Sequence, residues 1–134
     1  MRNCCKRMFA LILVICLAVA WVPVTGRADP ANVRRISGEN RFETAFQVAE
    51  ALRGPGSDNK LNAIVIASGS NFADALSGSY LAAMRGAPIL LSYNDVYNAR
   101  VQEYIRANLK DDGTVYILGG PAAVPESMEA GLEG

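Results

Sequence analysis

The sequence contains no histidine, and its three cysteines, Cys4, Cys5 and Cys16, all lie near its beginning. Without histidine, neither a Ser-His-Asp nor a Cys-His catalytic site can be assembled. Zinc would also lack its usual nitrogen ligands and, beyond residue 16, its sulfur ligands. These absences weigh against the commonest hydrolases and against a zinc protein. We predict neither catalytic residues nor a metal site.

Nucleotide-binding fingerprints are absent as well. The loop around Gly69 lacks the third glycine of GxGxxG, and the chain contains no GxxxxGK[ST] phosphate loop. Asp74, Asp95, Asp111 and Asp112 could in principle bind a divalent ion. The run Asp111-Asp112-Gly113 is more simply a solvated turn. We therefore predict no cofactor.

The first 28 residues have the composition of a secretory signal peptide. Basic residues occupy positions 2, 6 and 7, an apolar run covers 8–22, and Gly26-Arg27-Ala28 places small residues before a cut at Asp29. An uncleaved membrane anchor is the alternative, but the apolar run is shorter than the roughly 20 residues that a span requires. We predict a signal peptide over 1–28 and a single secreted domain over 29–134, free of the membrane after cleavage.

Cleavage would change the charge of the chain. Four basic residues and no acidic residue would leave, so nine basic residues would remain against 13 acidic ones, a net charge of −4. Nucleic-acid-binding domains are normally basic, and we therefore predict no nucleic-acid partner. The exported domain would also contain no disulfide, so its stability has to come from packing.

The stretch over residues 62–93 predicts one strand–helix–strand unit. The apolar run 63–67 has no alternation, as expected of a strand buried on both faces. Asn71 or Ser70 can cap the helix that follows, and Gly86 stands where a glycine would end it. A second apolar run then begins at Ile89.

The rest of the chain continues this alternation. We predict further strands over 33–37 and 114–118, and helices over 41–52, over 96–109 and from Val124 onward. The order βαβαβαβα predicts an α/β fold with a mostly parallel sheet flanked by helices. The turns at Ser37-Gly38, Ser68-Gly69 and Gly119-Gly120 should then lie at the carboxyl edge of the sheet, where such folds bind ligands.

Polar residues near two helix starts are the candidate ligand-binding residues. Arg41 could hold an anion together with free backbone N–H groups, although it could equally pair with Glu39 or Asp74. Beside the next helix start, Ser68 and Ser70 offer hydroxyl groups, Asn71 offers an amide and Asp74 a carboxylate. Capping is the alternative role of Ser70 and Asn71, and a structural role is the alternative for Asp74. The predicted site comprises Arg41, Ser68, Gly69, Ser70, Asn71 and Asp74.

Seven motifs, in order and at consistent spacing, resemble the cell wall-binding repeat 2 family of Gram-positive bacteria. They are RISG at 35–38, NRFETA at 40–45, ASG at 67–69, FADAL at 72–76, APILL at 87–91, YILGG at 116–120 and AVP at 123–125. The resemblance implies a Rossmann-like or toprim-like fold. It also implies a non-catalytic module that anchors surface proteins, including S-layer proteins, to an anionic, teichoic acid-like wall polymer.

Members of that family usually carry three tandem copies that pack as a pseudo-trimer, whereas this sequence contains one. A homotrimer of single copies would replace the tandem arrangement, and the small residues around 73–83 favour such close packing. Two other functions stay open: an enzyme that uses carboxylates only, either a wall hydrolase or a toprim-like phosphate-ester enzyme, and a purely structural assembly subunit.

Overall fold

The computed structural model of the protein describes residues 32–56 and 59–133. The predicted signal peptide over residues 1–28 lies outside the described residues. The fold belongs to the compact unit Arg34–Gly134. Within the described residues, no helix is both long and apolar enough to cross a bilayer.

The described chain forms five helices and three strands. They are α1 (Arg41–Arg53), β1 (Leu61–Ser68), α2 (Phe72–Ser77), α3 (Ser79–Arg85), β2 (Ile89–Ser92), α4 (Asp95–Asn108), β3 (Leu109–Ile117) and α5 (Glu126–Ala130).

The three strands form one parallel sheet in the order β2-β1-β3. Val65 of β1 lies opposite Ile89 of β2, and Ile64 lies opposite Val115 of β3. The helices follow the strands along the chain, as crossover connections between parallel strands require. The predicted α/β class with a parallel sheet is therefore confirmed.

Alternate residues of β1 enter the two halves of the core, because successive side chains of a strand point to opposite faces. Ile64 and Ile66 pack with side chains of α1, α4 and α5, including Phe46, Val101 and Met128. Ala63 and Val65 face the other way, toward α3 and the start of β2. The sheet is thus covered by three helices on one face and by α2 and α3 on the other.

Local capping signals begin and end the helices, and those at Asn71 and Gly86 are the ones that the sequence predicts. The side chains of Asn40, Asn71 and Asn94 each accept backbone N–H groups at the starts of α1, α2 and α4. Gly86 ends α3 in the left-handed conformation, at φ 58°, where a residue with a Cβ would be strained.

The prediction of a first strand over residues 33–37 was wrong. This segment belongs to no helix and pairs with no described strand, and Val33 is 88% exposed. A segment with strand propensity forms a strand only where a neighbouring strand offers hydrogen bonds and packing. The observed order of elements therefore starts with α1, and the Ser37-Gly38 turn follows no strand.

Two further boundaries differ from expectation. The single helix expected after Asn71 is divided at Gly78, where the side chain of Leu118 packs so closely that a Cβ would lie 2.0 Å from its Cδ1. The expected turn at residues 111–113 lies within β3, as an irregularity. Leu61 pairs with Leu109 and Ala63 with Thr114, so the extra residues of β3 bulge outward.

Leu90 provides a test of this core, because its side chain is fully buried in the middle of β2. A lone carboxylate at this position would cost several kcal/mol, against a total stability of ~5–15 kcal/mol. We expect Leu90→Asp to abolish cooperative thermal unfolding measured by circular dichroism. The control Val96→Asp, at a side chain that is 76% exposed, should melt like the parent protein. A normal melting curve for Leu90→Asp would contradict the assigned core.

Candidate functional site

A groove of about 360 Å³ opens at the carboxyl edge of the sheet. Its lining consists of Arg41 from the first turn of α1, residues 68–71 after β1, Phe72 and Ala75 from α2, and Leu91 from β2. Five of the six predicted site residues therefore meet in one groove. The sixth, Asp74, does not line it.

Close packing between Phe42 and Gly69 holds the two sides of this groove together. A Cβ on Gly69 would lie 2.4 Å from Cε1 of Phe42 and 3.0 Å from the carbonyl oxygen of Ser92. The backbone N–H of Gly69 also donates to that Ser92 oxygen at 2.6 Å. The absence of a side chain at residue 69 therefore brings the ends of β1 and β2 and the start of α1 into contact.

The guanidinium of Arg41 lies over aromatic rings and not beside a carboxylate. Its Cζ is 4.8 Å from the ring centroid of Phe42 and 6.0 Å from that of Tyr93. Neither Glu39 nor Asp74 forms an ion pair with Arg41 within the described residues, so the two pairings that the sequence left open are not observed. Because Arg41 is exposed, its charge faces the groove from the solvent side.

The backbone N–H groups beside Arg41 are already occupied. Those of Phe42 and Glu43 donate to Oδ1 of Asn40 at 2.9 and 3.0 Å. The idea that Arg41 and free helix N–H groups jointly hold an anion is therefore not supported at these two groups. Among the described residues that line the groove, Arg41 is the one that carries a positive charge.

The loop after β1 divides its residues between structure and surface. Oγ of the buried Ser68 accepts the N–H of Ser70 at 3.2 Å, and Oδ1 of Asn71 accepts the N–H of Ala73 at 3.1 Å. Asn71 is therefore the cap of α2, whereas Ser70 is exposed and is not the capping residue. Ser70 and the amide nitrogen of Asn71 are the polar groups that this loop presents to the groove.

Asp74 lies away from the groove, against the loop that follows β3. Its Oδ2 is 2.9 Å from the position that a Cβ on Gly119 would take. The carboxylate thus packs against the backbone of Gly119, which has a φ of 97°. This contact favours the structural role for Asp74 over a role in ligand binding.

Three residues beside the groove were not singled out from the sequence. Tyr97 stacks on Phe42 with ring centroids 4.3 Å apart, and its hydroxyl accepts from Nδ2 of Asn40 at 3.2 Å. The buried Asn98 accepts from the Ser92 hydroxyl and from the Tyr93 N–H at 2.9 and 3.1 Å. The position of Tyr93 directly after an apolar strand was the available signal, since polar and aromatic residues there belong to the carboxyl edge.

The nearest acid on α1 is already paired. Glu43 and Arg100 form a two-pronged ion pair, with Nη2 of Arg100 2.9 Å from Oε2 of Glu43. The hydrogen bond that Arg100 donates to Glu43 raises the pKa of the Arg100 guanidinium above its usual value. Because Arg100 occupies this carboxylate, the positive charge of Arg41 is left available to a ligand.

Comparison with known proteins gives consistent results. Residues 35–129 match the family described as Cell wall binding domain 2 (CWB2). The chain is 33% identical over 122 residues to N-acetylmuramoyl-L-alanine amidase LytC of Bacillus subtilis (strain 168), covering 88% of this chain and 22% of LytC. The fold is similar to Cwp8 from Clostridium difficile, with a TM-score of 0.52, 28% identity and coverage of 75% of this chain and 15% of Cwp8. The chain therefore spans about a fifth or less of the length of these relatives.

The Phe42–Gly69 contact leads to a prediction about stability. Gly69→Ala should force the ring of Phe42 or the end of β2 to move, at a cost of about 1–3 kcal/mol for an overpacked site. We expect a melting temperature lower by roughly 4–8 °C for each kcal/mol lost. Gly120→Ala is the matched control, because nothing lies within 4 Å of a Cβ at that position. Equal melting temperatures for the two variants would show that the contact does not constrain the fold.

Proposed function

Because the chain belongs to the Cell wall binding domain 2 family, we propose that it is a secreted module that attaches to the Gram-positive cell wall through an anionic secondary polymer. Membership rests on the match over residues 35–129, which is most of the chain. A non-catalytic wall-binding role and a location at the cell surface follow from the family. The ligand chemistry, secretion and the binding residues are our proposals.

The groove at the carboxyl edge is the proposed polymer site. It joins one exposed guanidinium, Arg41, to the polar groups of Ser70 and Asn71 and to the exposed ring of Phe72. A guanidinium binds phosphate or carboxylate oxygens in a two-pronged geometry, and aromatic faces pack against the apolar faces of sugar rings. A teichoic acid-like polymer that carries sugar rings beside its phosphates would offer both features. The single observation that carries this proposal is the exposed, unpaired Arg41 at the groove.

Binding of an anionic polymer by an acidic domain requires a local positive field. No carboxylate is among the described residues that line the groove, and Glu43, the nearest acid on α1, is paired with Arg100. The charge of Arg41 is therefore not cancelled within the groove. The net negative charge of the domain acts only at longer range, where salt screens it.

We further propose that the domain forms a homotrimer through the outer side of α2 and α3. Leu76, Tyr80 and Met84 follow one another at intervals of four residues and are each at least 67% exposed. Gly78 donates its N–H to the carbonyl of Asp74 and accepts the N–H of Ala82, so it joins α2 directly to α3, and these exposed side chains form one apolar row on the two helices. Contiguous exposed apolar rows mark interfaces, and three copies would bring three polymer sites onto one body.

Removal of the Arg41 charge tests the polymer site. We expect Arg41→Ala to weaken sedimentation with purified Gram-positive walls about tenfold, because a charge-assisted hydrogen bond contributes ~1.5 kcal/mol. Binding of the parent protein should also fall with added salt and with removal of the secondary polymer from the walls. Arg85→Ala is the matched control, since it makes the same charge change at the opposite edge of the sheet.

The same walls separate binding from hydrolysis. We expect the turbidity of the wall suspension to stay constant while the protein sediments with it. Clearing of the suspension would favour the hydrolase alternative. Arg41→Ala that sediments like Arg85→Ala would refute the assigned groove without bearing on the family.

Substitution within the apolar row tests the homotrimer. Leu76→Asp should yield a monomer in analytical ultracentrifugation at concentrations where the parent protein is trimeric, because it places a charge in the proposed interface. Leu52→Asp, at a side chain of α1 that is 51% exposed, should leave the trimer intact. A parent protein that stays monomeric at all accessible concentrations would refute the homotrimer, and wall binding undiminished in the monomer would refute the gain from multivalency.

A further inference from the structure

The outer edge of the sheet at β3 is open. Among the described residues β3 pairs only with β1, and the other side of the strand has no partner. Val115, Tyr116 and Ile117 remain only partly buried, whereas Ile64, Val65 and Ile66 opposite them are fully buried. An unprotected edge strand offers a ladder of backbone N–H and C=O groups to another strand.

A cavity of about 460 Å³ lies beside this open edge, on the face that carries α4 and α5. Val115, Ile117 and Leu132 provide apolar lining, and Asp111, Glu129 and Glu133 contribute three carboxylates. Two basic residues, Arg106 and Lys110, also line the cavity, and Arg106 donates to the carbonyl oxygen of Gly131. The cavity therefore suits a strand that carries an apolar side chain next to a positive one.

Residues 33–37 have these properties. The sequence Val-Arg-Arg-Ile-Ser is rich in β-branched residues, it belongs to no helix, and no described strand pairs with it. Val33 is 88% and Ile36 is 38% exposed, which is a large apolar exposure for so short a segment. Because side chains alternate along a strand, Ile36 and Arg34 lie on one face and Val33 and Arg35 on the other.

We propose that residues 33–37 of one copy of this chain add as a fourth strand to the outer edge of β3 of a second copy. The five residues of the segment are enough to span the regular part of β3, the four residues 114–117. Ile36 enters the cavity beside Val115 and Ile117, and Arg34 on the same face meets the carboxylates around it. Main-chain hydrogen bonds supply the affinity of such strand addition, and the side-chain cavity supplies its specificity.

This contact is separate from the apolar row on α2 and α3, and it uses neither Arg41 nor the groove. It goes beyond the proposed wall binding and does not depend on it. Strand addition joins different surfaces of the two copies, so it is a head-to-tail contact, which generates a ring when the rotation closes. It explains why a segment with strong strand propensity stays unpaired within its own chain.

Hydrogen exchange of the full-length protein, produced in a Gram-positive host, tests the proposal. Backbone amides of residues 34–37 and 114–117 should exchange about tenfold more slowly at high than at low protein concentration, because they enter a ladder only when copies meet. Ile36→Asp should abolish this dependence. The control Val48→Asp, at a side chain with a similar exposure of 42%, should retain it.

A peptide experiment isolates the strand from the rest of the chain. The acetylated peptide of residues 32–38 should protect the amides of residues 114–117 in the Leu76→Asp protein, while the same peptide with Ile36→Asp should not. Protection that is independent of concentration would mean that the segment folds back within its own chain, and it would overturn the proposal. Protection that is absent from both regions at every concentration would overturn it as well.

Discussion

The central strand β1 has to be covered on both faces and along both edges, and the rest of the structure follows from this constraint. Its residues Ala63 to Ala67 are almost completely excluded from solvent. A strand that is buried in this way needs helices on each face and a neighbouring strand on each side, because none of its backbone groups can reach water. The parallel partners β2 and β3 and the two helical layers satisfy these needs.

The groove forms because the helices and strands that cover β1 do not extend beyond its carboxyl end. There the chain turns at Gly69, and the missing side chain lets Phe42 close the gap between α1 and the ends of the strands. The same contact places Arg41 at the rim, supported from below by aromatic rings. The residues available for recognition are therefore carried on the rigid ends of strands and helices, which limits their freedom before a ligand arrives.

Two other surfaces, the outer side of α2 and α3 and the edge at β3, are covered less completely. The face under α2 and α3 is closed by small residues such as Ala82, and the larger side chains of these helices point outward. The edge at β3 has no partner among the described residues. Both surfaces belong to a domain whose relatives LytC and Cwp8 are several times longer than the region matched here.

The sequence by itself determined the class of the fold and most of its local boundaries. Some signals act over only a few residues: the asparagine caps, the glycine at the end of α3 and the uninterrupted apolar runs. They can therefore be recognised in the sequence without a structure. Five of the six candidate residues predicted from the sequence line one groove, four of them because they are consecutive in the loop after β1. Only the tertiary structure decided that residues 33–37 form no strand, that Asp74 faces Gly119, and that Arg41 lies over Phe42 and Tyr93. These outcomes depend on which distant residues come into contact, and a strand or an ion pair forms only when its partner is within reach.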